Sequence, residues 1–293
     1  MNTLNSAEDL ITSKDRTISG FTWQARRKVE RAREFLRVVD NIEKTDLGEI
    51  DSADRLMDHP EVRDFLITSC MLSQKSLGHI DFDGQKRVLS NLIDFELLGD
   101  DGYKKGLINR YLLTAGDSLG GSMRNIVGQA AQKRLNERII GRLEAKGFTP
   151  SIQETKSGKV SIIRWSDKAV ILDRKPKFIA KSIDFIVVSG ESAKTGELEN
   201  PADYISCGEL KGGIDPAGAD EHWKTARSAL ERIAQKFGDE HKPCPKLIFI
   251  GAAIEASMAA EIHKLVTDGW LSAAANLNYT EQLDEAVDIT LDI

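Results

Sequence analysis

Cysteine is scarce in this chain of 293 residues, and long apolar stretches are missing. The three cysteines form no CxxC pair, so a disulfide scaffold is not expected and a reducing cytoplasm suits the sequence better: Cys70, Cys207 and Cys244. No apolar run approaches the roughly 20 residues that a membrane span needs. The first residues carry no basic cluster followed by an apolar stretch, so we expect neither a membrane anchor nor a secretory signal.

The overall composition is that of a globular protein, with 41% hydrophobic and 29% charged residues, which excludes wholesale disorder and fibrous repeats. The net charge of −6 argues weakly against a nucleic-acid partner, but the charge is segregated along the chain. Residues 104–181 carry 17 basic and 6 acidic groups, whereas residues 182–293 carry 9 basic and 20 acidic groups. A basic middle can dock phosphates, and clustered carboxylates can hold metal ions.

Hydrophobic periodicity changes along the chain and predicts two parts. The N-terminal third has apolar residues at helical spacing, so we expect a helical N-terminal lobe over residues 1–115. Residues 116–293 mix both periods, which indicates an α/β core with a central mixed β-sheet flanked by helices. The predicted helices lie near 61–77, 85–98, 104–115, 126–146, 217–237 and 254–267. The predicted strands lie at 159–165, 169–172, 183–188, 204–211 and 246–251.

Two carboxylates and one lysine stand out at the ends of neighbouring predicted strands. Asp184 lies early in one strand, and Glu209 and Lys211 end the next on the same face. If these strands pair as a hairpin, Asp184 approaches Glu209. Two converging carboxylates repel each other unless a cation lies between them, and hard oxygen ligands suit Mg²⁺. Such an ion can polarise a phosphate oxygen and lower the pKa of a bound water. Lys211 would then lie beside both the scissile phosphate and the attacking water.

The Glu-x-Lys pattern by itself says almost nothing, because the chain repeats it at Glu144-Ala145-Lys146 and Glu240-His241-Lys242. A charged surface turn or helix explains such a pattern equally well. Residues 209–211 differ by their context. They end a predicted buried strand, follow a hairpin strand that carries Asp184, and precede Gly212-Gly213.

These residues resemble the PD-(D/E)xK nuclease superfamily, and the run from Gly208 to Lys224 is similar to type II restriction endonucleases of the AvaI/BsoBI kind. In that kind a histidine lies eleven positions after the motif lysine, as His222 does here. The resemblance covers residues 120–225 best. The proline that usually precedes the first aspartate is replaced by Ile183.

The resemblance implies a fold, an activity and a set of partners. It implies a restriction-endonuclease-like core in which Asp184, Glu209 and the Leu210 carbonyl hold Mg²⁺. It implies a homodimer that hydrolyses phosphodiester bonds of double-stranded DNA at a short palindromic site, leaving 5′-phosphate ends. Such an enzyme acts in the cytoplasm of a bacterial cell beside a cognate DNA methyltransferase, with the helical lobe serving dimerisation or enclosing DNA.

His222 and a set of basic residues are weaker candidates. The histidine either assists catalysis as a general base or is a surface or capping residue near a helix start. The run Gly116–Asn125 reads as a glycine-rich turn before a basic helix, from which Arg124 and Asn125 could reach base edges; the alternative is a simple turn with Arg124 in a salt bridge. Lys133 and Lys181 are further DNA-binding candidates, although solvated faces explain them just as well.

Three functions remain open on the sequence alone. The first is a Mg²⁺-dependent, site-specific type II deoxyribonuclease. The second is a nuclease of the same superfamily with a repair or structure-specific role. The third is a non-catalytic DNA-binding protein with a degenerate site.

Overall fold

The computed structural model describes residues 3–72, 76, 79–240 and 242–293. The chain divides into two compact units, one formed by Thr22–Asn125 and the other by Met1–Phe21 together with Ile126–Ile293. No helix in the described part of the chain is both long and apolar enough to cross a membrane. The dimerising and DNA-enclosing role of the N-terminal lobe, and its boundary at residue 115, stay predictions.

The unit Thr22–Asn125 is built from helices around its own core. The helices that contribute to it are α1 (Lys14–Lys44), α2 (Ala53–Leu56), α3 (Pro60–Ser69), α4 (Phe82–Leu92) and the first part of α5 (Asp101–Ala145). Helix starts carry the expected signals: the Ser52 and Asp81 side chains accept N-cap hydrogen bonds, and Pro60 is the first residue of α3. Phe65 packs on Tyr111 in the core, with ring centroids 5.2 Å apart. The predicted helix over 61–77 ends at Ser69 among the described residues, and its residues 73–75 and 77 lie outside them.

Helix α5 corrects the prediction of a glycine-rich turn. The predicted helices 104–115 and 126–146 are one helix of 45 residues, and the run Gly116–Asn125 lies inside it. Buried Ala115 and Met123 continue the apolar pattern through the run, which offsets the roughly 1 kcal/mol that each helical glycine costs relative to alanine. The backbone N–H groups of this run are therefore inside a helix, and no phosphate-binding turn forms here.

The second unit contains the predicted mixed β-sheet, in the strand order β1-β2-β3-β4-β5-β6-β7. The strands are β1 (Ser151–Glu154), β2 (Val160–Trp165), β3 (Lys168–Arg174), β4 (Ile183–Ser189), β5 (Tyr204–Lys211), β6 (Lys246–Gly251) and β7 (Ala273–Asn276). Strands β1 to β5 pair antiparallel, whereas β5, β6 and β7 pair parallel. The α/β fold class is confirmed.

Helices cover both faces of this sheet. They are α6 (Gly190–Thr195), α7 (Ala219–Asp239), α8 (Ala256–Thr267) and α9 (Thr280–Leu291), together with the C-terminal half of α5. Helices α7 and α8 pack on one face, where Trp223 meets Phe249 edge to face at 4.8 Å. Helices α5 and α9 pack on the other face.

Part of the charge segregation is explained by ion pairs inside the second unit. On α5, Arg138 binds the carboxylate of Asp284 on α9, and Arg142 binds that of Asp288, each through two guanidinium nitrogens. Because the spacing is four residues on both helices, the two pairs are stacked one turn apart. Some of the basic middle therefore neutralises the acidic C-terminal third instead of facing a ligand.

The parallel strands end together at one edge of the sheet. Lys211 on β5, Gly251 on β6 and Asn276 on β7 are aligned partners in the register. The N-terminal segment closes this edge, because the buried Thr12 hydroxyl donates to the Ala252 carbonyl at 3.0 Å and accepts from the Asn276 side chain at 2.7 Å. The edge that carries Lys211 is thus tied to residues near the start of the chain.

Candidate functional site

Asp184, Glu209 and Lys211 converge on one spot. The ammonium nitrogen of Lys211 lies 2.6 Å from Glu209 Oε2 and 3.5 Å from Asp184 Oδ2. The same Asp184 oxygen accepts a hydrogen bond of 2.7 Å from the backbone N–H of Leu210. Glu209 is buried, with 4% of its surface exposed. The antiparallel pairing of β4 with β5, and the common face of Glu209 and Lys211, agree with the geometry expected from the sequence.

The pairing of β4 with β5 determines this convergence. Phe185 is the register partner of Gly208, and a Cβ at Gly208 would lie 2.0 Å from the Phe185 ring. Only glycine leaves room for the ring to lie across the neighbouring strand at this point. Since Phe185 follows Asp184 and Gly208 precedes Glu209, this contact sets the two carboxylates side by side.

The electrostatics of the site are those of carboxylates forced together in a buried place. Burial, followed by the charge of Asp184, raises the pKa of Glu209 to about 7, although Lys211 acts in the opposite direction. Burial lowers the pKa of Lys211, but the charges of Asp184 and Glu209 outweigh it and the net shift is upward. The lysine is therefore held as a cation between two carboxylates that repel each other.

The oxygen atoms that Asp184 and Glu209 offer are suitable ligands for a hard divalent cation. Two carboxylates offer hard oxygen atoms, and their mutual repulsion favours a cation between them. Among the described residues there is no group of three or more His, Cys, Asp and Glu side chains that could cage an ion. Mg²⁺ suits such a sparse site, because it usually retains several waters and needs only one or two protein carboxylates. That Leu210 contributes its carbonyl stays a prediction.

His222 lies beside the segment that follows Lys211. It is an exposed residue in the first turn of α7, and its Nε2 would be 3.0 Å from a Cβ at Gly213 and 3.6 Å from a Cβ at Gly218. Gly213 and Gly218 are therefore both in close range of the ring. The chain does turn back after Lys211 and places an imidazole against the backbone two residues past it.

The predicted DNA-binding residues are all exposed, but they lie in different parts of the chain. Arg124 and Asn125 are in the unit Thr22–Asn125, on the middle of α5. Lys133 lies farther along α5, with its ammonium 3.8 Å from Glu137. Lys181 lies between β3 and β4, directly after Ala180, which has a φ of 59°. Their contacts with DNA stay predictions.

Sequence reasoning missed the residues that hold the site in shape. Gly208 was part of a quoted motif, and a glycine inside a buried strand is itself a signal of close backbone approach. Strand β7 and helix α9 were missed altogether. The strand, Ala273–Asn276, is short and rich in alanine, which is a weak strand former.

Comparison with known proteins gives consistent matches along the chain. The sequence matches the family described as restriction endonuclease BsobI over residues 1–176 and 167–289. It is 35% identical to the type II restriction enzyme BsoBI of Geobacillus stearothermophilus, in an alignment that covers 96% of this chain and 94% of the relative. It is 32% identical to the type II restriction enzymes AvaI of Nostoc sp. and of Anabaena variabilis, with 96% of this chain and 95% of each relative covered.

Proposed function

The chain belongs to the BsobI restriction endonuclease family, and from that premise we propose that it hydrolyses phosphodiester bonds of double-stranded DNA at a specific short palindromic site. It is a type II site-specific deoxyribonuclease, a class that depends on a divalent metal ion. The observation that carries the proposal is the convergence of Asp184, Glu209 and Lys211 at the paired ends of β4 and β5. The products carry 5′-phosphate ends.

Mg²⁺ is the proposed cofactor. Asp184, Glu209 and the Leu210 carbonyl would hold it. When bound, Mg²⁺ polarises a phosphate oxygen and lowers the pKa of water. The two converging carboxylates, which offer hard oxygen ligands, support this choice.

Lys211 is the residue that orients the nucleophile and balances negative charge on the phosphate. Its ammonium is already held by two carboxylates, so its position is set before DNA binds. His222 is the proposed proton acceptor for the attacking water. The support for this role is the position of its ring against Gly213, two residues after Lys211.

The DNA contacts and the assembly follow from the same proposal. Arg124, Asn125, Lys133 and Lys181 contact DNA, with Arg124 and Asn125 facing base edges. The enzyme acts as a homodimer because a palindrome presents an equivalent strand to each of two active sites. The lobe 1–115 serves dimerisation or encloses DNA. The enzyme acts in the bacterial cytoplasm, where a cognate DNA methyltransferase protects the host sites.

Digestion of several unmodified DNAs with the purified protein and Mg²⁺ tests the proposal. Discrete fragments are expected, and sequencing of their ends gives the recognition site and the cleavage positions. A smear would instead indicate a nuclease without sequence specificity, such as a repair enzyme. DNA that stays intact in every substrate, although the protein binds it, would indicate a DNA-binding protein with a degenerate site.

A further inference from the structure

The backbone after Lys211 is packed against two helices with no spare room. A Cβ at Gly212 would lie 2.6 Å from the Ala131 Cβ and 3.1 Å from the Val127 carbonyl oxygen, both on α5. A Cβ at Gly20, on α1, would lie 2.5 Å from Cγ1 of Ile214. We call these five residues the glycine junction.

Space, and not backbone conformation, explains both glycines. Neither Gly20 nor Gly212 is among the residues with positive φ, so an alanine could adopt either backbone conformation. Protein interiors are close-packed, and a contact of 2.6 Å between two carbon atoms cannot be accommodated without moving one backbone or the other. At Gly212 the nearest atoms are a Cβ and a backbone oxygen of a long helix, which cannot rotate away.

A shift of Gly212 would move Lys211, its chain neighbour. The Lys211 carbonyl accepts a hydrogen bond of 2.8 Å from the Ala252 N–H, which continues the pairing of β5 with β6 to the last residue of the strand. The site therefore has one side fixed by the sheet and the other by α5. Displacing reacting groups by about 1 Å can cost about 100-fold in rate.

We propose that the contact of Gly212 with Ala131 is a positioning device that holds the Lys211 ammonium between Asp184 and Glu209. The proposal rests on the proposed nuclease function. Gly212 does not touch the substrate; it acts through Lys211. The contact between Gly20 and Ile214 supports the same segment from α1, two residues farther along the chain.

A reciprocal substitution tests the proposal, with DNA carrying the cleavage site found from wild-type digests. Gly212→Ala is expected to lower the single-turnover cleavage rate at least 30-fold, while DNA affinity measured in Ca²⁺ changes less than about threefold. Ala131→Gly removes the Cβ that the new methyl group meets. The double variant is therefore expected to cleave at least tenfold faster than Gly212→Ala, since only the 3.1 Å approach to the Val127 carbonyl oxygen remains. Gly141→Ala on the same helix, where a Cβ would meet nothing within 4 Å, is the matched control.

A purely structural role predicts a different result, in which melting temperature falls but the cleavage rate of the folded fraction does not. Full cleavage by Gly212→Ala overturns the proposal. So does a loss of cleavage that Ala131→Gly does not repair even in part, because the loss then does not come from the contact with Ala131. Failure of the wild-type protein to cut any DNA would instead count against the nuclease function itself.

Discussion

The ammonium nitrogen of Lys211 lies 2.6 Å from a carboxylate oxygen of Glu209, two residues earlier on the same strand. Side chains two apart share one face of a strand, so this pair needs no loop to form it. The carboxylate of Asp184 reaches the same ammonium from the neighbouring strand, at 3.5 Å. The local pair and the strand pairing together build a site with two carboxyl groups around one ammonium group.

Removal of the ammonium should separate binding from cleavage. Lys211→Ala leaves both carboxylates in place but removes the group that balances charge on the phosphate, so cleavage should fall at least 1000-fold, a loss of about 4 kcal/mol in transition-state stabilisation. DNA affinity in Ca²⁺ should stay within about threefold, as checked by a gel-shift titration. Lys264→Ala, at an exposed position on α8, is the control. Near wild-type cleavage by Lys211→Ala would remove this residue from the active site.

Replacement of Glu209 by glutamine should make the metal-free protein more stable above about pH 7, where the native carboxylate is ionised, while abolishing cleavage. The pKa of Glu209 is raised from 4.5 to about 7, first by burial and then by the charge of Asp184. A carboxyl with a raised pKa in the folded state favours folding most below pH 4.5, and this contribution is lost as the pH rises through about 7. Glu209→Gln does not titrate, so its stability relative to wild type should increase between pH 5 and pH 8, by on the order of 2 kcal/mol.

Thermal melts in EDTA at the two pH values measure this difference. Glu281→Gln, at an exposed position in the first turn of α9, controls for the general effect of removing a carboxylate. If the stability difference between Glu209→Gln and wild type were the same at pH 5 and pH 8, the pKa of Glu209 would not be raised in the folded protein.

A methyl group at Gly208 should disrupt the pairing of the two strands that carry the carboxylates. The new Cβ would lie 2.0 Å from the fully buried Phe185 ring, so Gly208→Ala should lower the free energy of unfolding by about 1–3 kcal/mol or more. Cleavage should fall as well, because Asp184 precedes Phe185. Gly238→Ala, on α7 where a Cβ would meet nothing within 4 Å, should instead stabilise the protein by about 0.5–1 kcal/mol. Urea titrations compare the two, and equal effects would argue against a steric role for Gly208.

The strands that carry the site were predictable because their residues alternate or form short buried runs with clear ends. Asp184, Glu209 and Lys211 could be placed from strand periodicity and the resemblance of the motif. The contacts of Gly208 and Gly212 could not, since they depend on which ring or helix lies opposite, which is a tertiary property. The sequence predicts two helices in place of α5, separated at Gly116–Asn125, because glycine usually marks a turn or a helix end. The helix is continuous because buried residues such as Ala115 and Met123 extend its apolar face across this run.

The charge of residues 104–181 also depends on tertiary contacts that the sequence does not show. Segregated charge along the sequence predicted a phosphate-binding surface, yet Arg138 and Arg142 are paired with Asp284 and Asp288. Net charge by segment counts these arginines without seeing their partners, which lie 146 residues away in the chain. These ion pairs become visible only when α9 is seen packed on α5.

His222 should affect the rate of cleavage more than the binding of DNA. A general base typically contributes about 100- to 10,000-fold, so His222→Ala should lower the single-turnover rate by at least 100-fold. The change should not reduce stability, because the ring is exposed and lies against glycines. His59→Ala, at another exposed histidine, is the matched control. If the rate of His222→Ala equals that of wild type, the histidine has only a structural role.

Thr12 should prove important to the stability of the second unit through its hydroxyl and not through its shape. The hydroxyl donates to the Ala252 carbonyl and accepts from the Ile254 N–H at 2.9 Å and from the Asn276 amide at 2.7 Å. Thr12→Val keeps the volume but leaves these buried groups without their partner, at about 1–3 kcal/mol for each unsatisfied group. Thr12→Ser keeps the hydroxyl and loses only a methyl group, which costs about 1 kcal/mol. The free energy of unfolding measured in urea should therefore be highest for wild type, lower for Thr12→Ser and lowest for Thr12→Val. If the valine variant were as stable as the serine variant, the hydrogen bonds of Thr12 would not stabilise this edge of the sheet.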